Sequence, residues 1–235
     1  MSKPDSKRGG ANKAIPRTGR KRLRSSRGTR IQPSAFLNVP YDEQYEPLYL
    51  AFIAGLCGFG LVPRATLEIP TSDRRLDRIV KLMRSCRYSF HDLSRIQVDR
   101  EKPRTPRFNM PFELGLAVAW AKIASPAHRW VVLEEVPYRL TKSLSDLNGT
   151  DPLIHHGNAE GVLEALSNAL YRNTRSPNFN QLEMIYRDLK AAASQFRSGR
   201  KGGSLFEARA FKWLVLAAQS LAEKQVAPLI RRKRA

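Results

Sequence analysis

Glu113 is the acidic residue best placed in this sequence to do chemistry. It is the one carboxylate in RFNMPFELGLAVAWAK (residues 107–122), an apolar, helix-forming run, and it lies near the predicted first turn, just after a proline. A helix N-terminus stabilises an ionised carboxylate through the helix dipole. Glu113 is therefore a candidate nucleophile or ligand for an electron-poor centre. The alternative is an ordinary acidic residue favoured by a helix N-terminus.

Asp92 is the second carboxylate expected at the same edge. It follows YSFH, which predicts a buried strand, shortly before the helix that carries Glu113. Two such carboxylates can act together in cleaving a glycosidic bond. One holds a ribose hydroxyl, and the other stabilises an oxocarbenium-like carbon. Alternatively, Asp92 caps a turn and Glu113 only complements a helix dipole. The chemistry needs no metal, and the histidines show no ligand spacing, so we expect no metal site.

The segments that must position these residues alternate between strand and helix patterns. Strands are predicted at residues 35–40, 61–68, 88–94, 129–135 and near 152–156, and helices at 42–60, 73–87, 107–122 and 158–172, with 136–151 irregular. This alternation predicts βαβ units, and hence an α/β fold with an open parallel sheet and helices on both faces. Ligands of such folds bind beyond the carboxyl ends of the strands.

Smaller features complete the prediction for the central region. His91 should point to the opposite side of its strand from Asp92, which favours a packed, hydrogen-bonded histidine over a general base. Arg64, after the second strand, is a candidate phosphate ligand or a solvated surface residue. Cys57 and Cys86 each lie in an apolar helical pattern, so we expect reduced core thiols.

The excess positive charge lies entirely in the two flanks. Of the net +20, residues 1–30 carry +10, residues 31–171 carry none and residues 172–235 carry +10. Lys and Arg clusters bind phosphates by releasing counterions, so nucleic acid is one predicted partner of these flanks. The alternative is a solubilising tail plus one basic helix face.

Composition divides the chain into three parts. Residues 1–34 are poor in apolar groups, so we expect a disordered basic arm. Residues 35–173 form the predicted α/β domain. Residues 179–235 form a basic extension, with helices at about 179–197 and 204–224 in a helical hairpin. The last helix should dock on the domain or on a partner chain, the latter giving a homo-oligomer.

Targeting signals are not evident in the sequence. The basic first thirty residues hold no apolar core like that of a signal peptide, and no run of about 18 apolar residues occurs. With the reduced cysteines, these features favour a cytoplasmic protein without a membrane-spanning segment.

Four motifs in order resemble those of the nucleoside 2-deoxyribosyltransferase-like group and, more distantly, the TIR domain. They are AFLNVPYDEQY, YSFHDLS, NMPFELGLAVAWAK and RWVVLEE, and the likeness covers about residues 35–170. The resemblance implies a flavodoxin-like sheet and action on an N-glycosidic bond of a nucleotide or NAD-like molecule, with no cofactor. It also permits a role as a toxic effector in antiviral defence.

The resemblance also implies roles for individual residues. It makes Glu113 the candidate nucleophile and Asp92 the candidate sugar-binding acid. Three residues of LNVPY become the candidate wall for the nucleobase: Asn38, Pro40 and Tyr41. Further substrate-binding candidates in the same motifs are Ser94, Asn109, Met110 and Phe112.

Three functions therefore remain open from the sequence. The first is an N-glycoside hydrolase or transferase. The second is a module that binds a nucleotide without turning it over, as a sensor or signalling protein. The third is a nucleic-acid-associated protein that acts through its basic flanks.

Overall fold

The computed structural model describes residues 33–69, 74–96, 104–173, 176–199 and 203–232, and the side chains of these up to Val226. The predicted disorder of the basic arm therefore falls, apart from its last two residues, outside the described residues. Among the helices of the described ranges, none is long and apolar enough to cross a membrane.

Five parallel strands form one sheet with the order β2-β1-β3-β4-β5. The strands are β1 (Ser34–Asn38), β2 (Val62–Ala65), β3 (Tyr88–Asp92), β4 (Arg129–Glu134) and β5 (Leu153–Ile154). This is the order of flavodoxin-like folds, in which the chain reverses its direction across the sheet between β1 and β3. The predicted flavodoxin-like open parallel sheet is confirmed.

Seven α-helices occur in the described part of the chain. They are α1 (Glu46–Gly58), α2 (Arg75–Arg84), α3 (Asn109–Ile123), α4 (Arg139–Ser143), α5 (Ala159–Leu170), α6 (Phe179–Ser198) and α7 (Ala208–Arg232). Short 3-10 helices at Glu43–Tyr45, Thr66–Glu68 and Ser145–Leu147 accompany them. The segment predicted to be irregular, 136–151, thus contains α4 and a 3-10 turn.

The second strand is shorter than predicted because a side chain ends it. Glu68 Oε1 accepts a hydrogen bond from the Ala65 backbone N–H at 3.1 Å. This bond takes the backbone out of the sheet and into the 3-10 turn that follows. The strand therefore ends at Ala65 rather than at Glu68.

Neighbouring residues of β1 show that helices cover both faces of the sheet. Leu37 packs in the larger core, with α1, α5, α6 and α7, whereas Phe36 packs with Ile79, Met83 and Ala117 of α2 and α3. Alternate strand residues point to opposite faces, so the two cores lie on opposite sides.

Helix α1 is buried on nearly every side, which explains its lack of a polar face. The predicted apolar residues Leu48, Phe52 and Ile53 are buried, and so are Ala51 and Ala54 between them. The sheet covers one side of α1, and α5, α6 and α7 cover the others. A helix in this position is apolar all round.

The predicted C-terminal helical hairpin is confirmed. Helices α6 and α7 pack against each other and against α1. Leu182 and Ile185 of α6, with Phe211 and Leu214 of α7, are buried in the same core as α1. The hairpin therefore extends the hydrophobic core on one face of the sheet.

The two cysteines are free and buried, as predicted. Cys57 lies in the core around α1, and Cys86 lies in the core on the opposite face. Burial raises the pKa of Cys57 to about 12 and that of Cys86 to about 11. Both are therefore thiols near neutral pH and poor nucleophiles.

We expect Gly161→Ala to destabilise the protein by at least about 2 kcal/mol in urea unfolding. A Cβ at Gly161 would lie 2.2 Å from the carbonyl oxygen of His155, so the backbone after β5 would have to move. Gly115→Ala is the matched control, because nothing lies within 4 Å of its Cβ and alanine is the better helix former. Equal effects of the two substitutions would contradict the close approach of α5 to the His155 backbone.

Candidate functional site

Among the described residues, most of the buried polar side chains lie at or just after the carboxyl ends of the strands. Asn38 ends β1, Asp92 ends β3 and Glu134 ends β4, while His155 directly follows β5. All four are buried. A parallel sheet places these positions along one edge, which is where ligands of such folds bind.

Glu113 lies just beneath the surface with an incompletely satisfied carboxylate. It is 7% exposed, and among the described residues its Oε2 has no hydrogen-bond partner. Burial raises its pKa to about 7, and the positive charge of Arg75 opposes this shift. A buried polar atom without a partner, with a raised pKa, is typical of functional sites.

The helix-dipole explanation of Glu113 is weakened by where α3 begins. The helix starts at Asn109, and its first turn contains no acidic residue, so Glu113 lies beyond that turn. The favourable effect of the dipole falls off within the first turn. Removal from water therefore dominates the electrostatics of this carboxyl.

Tyr41 and Thr66 complete the surroundings of Glu113. The Tyr41 hydroxyl and Thr66 Oγ1 form a hydrogen bond of 3.2 Å. Burial raises the Tyr41 pKa, and the charges of Glu113 and Arg75 both act on it. Tyr41 and Thr66 are therefore in contact, and Glu113 and Arg75 act on Tyr41 through their charges.

Asn38 holds the start of α3 against the sheet. Its Nδ2 donates to the Met110 carbonyl at 2.9 Å and lies 3.0 Å from His91 Nδ1. Burial lowers the His91 pKa to about 3, so the ring is neutral and Nδ1 can accept this bond. The packed, hydrogen-bonded His91 is confirmed, and Asn38 acts as a positioning residue for α3.

Asp92 is fully buried, and both its oxygens contact protein groups. Oδ1 accepts the Ser94 backbone N–H at 2.8 Å, and Oδ2 accepts a hydrogen bond from the Tyr45 hydroxyl. His155 Nε2 lies 3.1 Å from Oδ2, at ion-pair distance although outside hydrogen-bond geometry. These contacts favour a structural role for Asp92 over direct binding of a sugar hydroxyl.

The surroundings of His155 determine its tautomer. The Gly157 backbone N–H donates to His155 Nδ1 at 3.0 Å. Nδ1 must therefore be unprotonated, and in the neutral ring the proton lies on Nε2, facing Asp92. Gly157 can make this contact because its φ of 69° is in the left-handed region that glycine adopts readily.

Glu134 adds a second buried carboxyl to this network. It is fully buried, its Oε1 has no partner among the described residues, and Arg139 Nη1 lies 3.4 Å from Oε2. Burial raises its pKa to about 7, while Arg139 opposes the shift. Arg139 Nη1 also donates to the Ser94 carbonyl at 2.6 Å, which ties this pair to the loop after β3.

The sequence analysis assigns no function to four residues of this network: Tyr45, Glu134, Arg139 and His155. For Glu134 and His155, the sequence indicated only that they lie at the ends of strands. Tyr45 was predicted only as a core residue. Its hydroxyl reaches Asp92 across 47 residues of sequence, a pairing that no local pattern indicates.

The other predicted site residues are dispersed. Pro40 is buried beside Tyr41, whereas Asn109 and Phe112 are exposed around the start of α3. Met110 packs in an apolar cluster with Leu93 and Leu140. The charge of Glu113 thus acts on Tyr41, whereas both oxygens of Asp92 are occupied by other protein groups.

Arg64 lies on the edge strand and pairs with Glu68. Its Nε donates to both carboxylate oxygens of Glu68, at 3.0 and 2.9 Å. The side chain is about one third exposed. Neither of the two predicted environments, phosphate or solvent alone, describes this ion-paired arginine.

No family model, curated protein or solved structure matches the chain. Within the described residues, no group of three or more His, Cys, Asp or Glu is arranged to hold a metal ion. The class of protein that the fold defines is a flavodoxin-like α/β domain with a C-terminal helical hairpin on one face.

We expect Glu113→Gln to stabilise the protein at pH 8 but not at pH 4. The Glu113 pKa is about 7 in the folded state and 4.5 in a model peptide. Its contribution to stability is therefore present below pH 4.5 and is lost as the pH rises through 7. The difference corresponds to at most about 3 kcal/mol.

Urea unfolding of both proteins across this pH range measures the effect. Glu164→Gln, at an exposed position of α5, is the control for loss of one carboxylate. If Glu113→Gln and Glu164→Gln follow the same pH dependence, Glu113 is solvated in solution and the buried geometry is wrong.

We expect Asp92→Ala to destabilise the protein by about 3–5 kcal/mol, because Tyr45 and His155 would keep buried polar groups without their partner. Equilibrium unfolding measures this loss, with Asp151→Ala at an exposed position as control. A loss below about 1 kcal/mol would mean that Asp92 is not the structural centre of the network.

Proposed function

We propose that the protein cleaves the N-glycosidic bond of a nucleotide or NAD-like molecule, with Glu113 as the nucleophile. The observation that carries this proposal is the Glu113 carboxylate itself. It lies on α3, whose start is held by Asn38 at the carboxyl edge of the sheet, and one of its oxygens is buried with no partner among the described residues.

The burial of Glu113 fits attack on an electron-poor sugar carbon. A carboxylate removed from water interacts strongly with a positive charge that develops nearby. In the reaction the C1′–N bond breaks, the base leaves with the bonding electrons, and a Glu113 oxygen bonds to C1′. Water or an acceptor nucleobase then attacks C1′, gives up a proton to the solvent and releases the carboxylate.

The surroundings of Glu113 favour a substrate whose base is already cationic. An uncharged base must be protonated as it leaves, whereas nicotinamide leaves NAD as a neutral molecule without a proton. The second carboxylate of the sequence prediction, Asp92, is enclosed by Tyr45, His155 and the Ser94 N–H. An NAD-like substrate therefore needs no proton donor beside Glu113.

Tyr41 is the proposed contact for the base or ribose. It is partly exposed, it follows β1 at the same edge, and its hydroxyl is held by Thr66. An aromatic ring fixed in this way offers an apolar face to a planar ring. Cleavage of NAD in the cell would suit the defence-effector role that the family resemblance permits.

A binding module without turnover is the second candidate, and the geometry of Asp92 favours it. An enzyme of the proposed kind gains from a group that holds the ribose, and the Asp92 oxygens are occupied by protein contacts. Such a module would keep Tyr41 but would use Glu113 only for binding.

We expect purified protein to release nicotinamide from NAD, and Glu113→Gln to lower kcat at least about 10³-fold while binding persists. Because the attacking carboxylate must be ionised, kcat/KM should rise with pH with a midpoint near 7, following the Glu113 pKa. Chromatography of NAD and a panel of nucleosides and nucleotides measures base release, and calorimetry measures binding.

Glu164→Gln is the control for base release, since it removes an exposed carboxylate of α5. Base release that survives Glu113→Gln would assign the chemistry to another residue. Binding without release from any compound, in both wild type and variant, would support the binding module instead.

A further inference from the structure

A basic groove lies along the free edge of the sheet, at β2. Its volume is about 400 Å³, and β2, the following 3-10 turn, α2 and α7 line it. Glu68 is the one acid among the described lining residues, and four others are cations: Arg64, Arg78, Lys81 and Lys212. We call this feature the β2 groove.

Glu68, the acid of the β2 groove, is already paired with other groups of the protein. Glu68 accepts hydrogen bonds from Arg64 Nε and from the Ala65 backbone N–H. It neutralises one charge and holds the Arg64 guanidinium in place. Lys81 and Lys212 add two further positive charges to the lining.

The remaining cations converge from distant parts of the sequence. Arg78 and Lys81 lie on α2, in the region of the chain whose net charge is zero, and Lys212 lies on α7 in the basic C-terminal region. Lys81 and Lys212 are exposed. The fold thus joins charges across about 130 residues on one surface, at a cost in mutual repulsion that an anionic ligand would relieve.

We propose that the β2 groove binds the phosphodiester backbone of a nucleic acid. Lysines and arginines in an open groove neutralise successive phosphates without reading bases, and each contact releases condensed counterions. The open shape, with exposed lysines contributed by two separate helices, suits a chain of phosphates better than one enclosed phosphate. The basic ends of the sequence, at +10 each, add long-range attraction for the same ligand.

This site is separate from the proposed glycosidase chemistry. Glu113 and Tyr41 are not among the residues that line the groove, and none of the groove cations is assigned a role in cleavage. The binding experiment therefore does not depend on NAD cleavage, and either result can stand without the other.

The test is fluorescence anisotropy of a labelled twelve-nucleotide oligothymidine with the full chain, over a range of salt concentrations. The variant is the double charge reversal Lys81→Glu with Lys212→Glu. We expect binding at least about tenfold weaker at 0.1 M salt. The slope of log K against log salt should fall by about 1.4, since each single-strand phosphate contact contributes about 0.7.

The matched control is Lys122→Glu with Lys142→Glu, at exposed positions of α3 and α4 that do not line the groove. This control changes the net charge equally and should keep most of the affinity. Melting curves establish that both variants are folded.

Equal losses in the two double variants would overturn the proposal, because affinity would then follow net charge rather than the groove. Unchanged oligonucleotide binding in Lys81→Glu with Lys212→Glu would also overturn it. Weakened binding of a nucleoside triphosphate, with the oligonucleotide unaffected, would assign the groove to small phosphates and would again overturn it.

Discussion

A carboxylate removed from water must find partners or take up a proton, and two of the acidic residues near the sheet edge, Asp92 and Glu113, meet this constraint differently. Asp92 is fully buried and is matched by the Tyr45 hydroxyl, the Ser94 N–H and the nearby His155 ring. Glu113 is almost as buried, but one of its oxygens has no described partner and its pKa rises to about 7. The first arrangement holds the structure together, whereas the second leaves a carboxylate available for a ligand.

The contacts of Asp92 and Glu134 connect several elements at the carboxyl edge of the sheet. Tyr45 precedes α1, His155 follows β5, and Arg139 joins Glu134 to the loop after β3. The edge of the sheet that would bind a ligand is therefore supported from beneath by polar contacts. Glu113 approaches the same edge from α3, whose start is held by Asn38 through the Met110 carbonyl. A rigid support of this kind positions a functional side chain more accurately than a loop does.

The apolar packing also differs between the two faces of the sheet. Helix α1 is enclosed by the sheet, α5 and the α6–α7 hairpin, so that face of the sheet is built as one thick core. The opposite face, with α2 and α3, carries both smaller cores and the helix of Glu113, whereas Tyr41 packs against the thick core. Because α7 passes beside the 3-10 turn after β2, the hairpin also brings Lys212 to the sheet edge. The hairpin thus contributes both to the core and to the charge of the β2 groove.

The sequence by itself determined the alternation of strands and helices, the parallel sheet, the hairpin and the position of Glu113, because hydrophobic periodicity and glycine or proline boundaries are local signals. It also placed Asp92 at the end of β3. What only the tertiary structure decided is which carboxylate is enclosed. Tyr45 and His155 reach Asp92 from 47 and 63 residues away in sequence. Lys212 lines the same groove as Arg64 only because α7 packs beside the 3-10 turn after β2. The desolvation and pairing of a charged side chain depend on such distant neighbours, and a local sequence pattern does not show which neighbours these are.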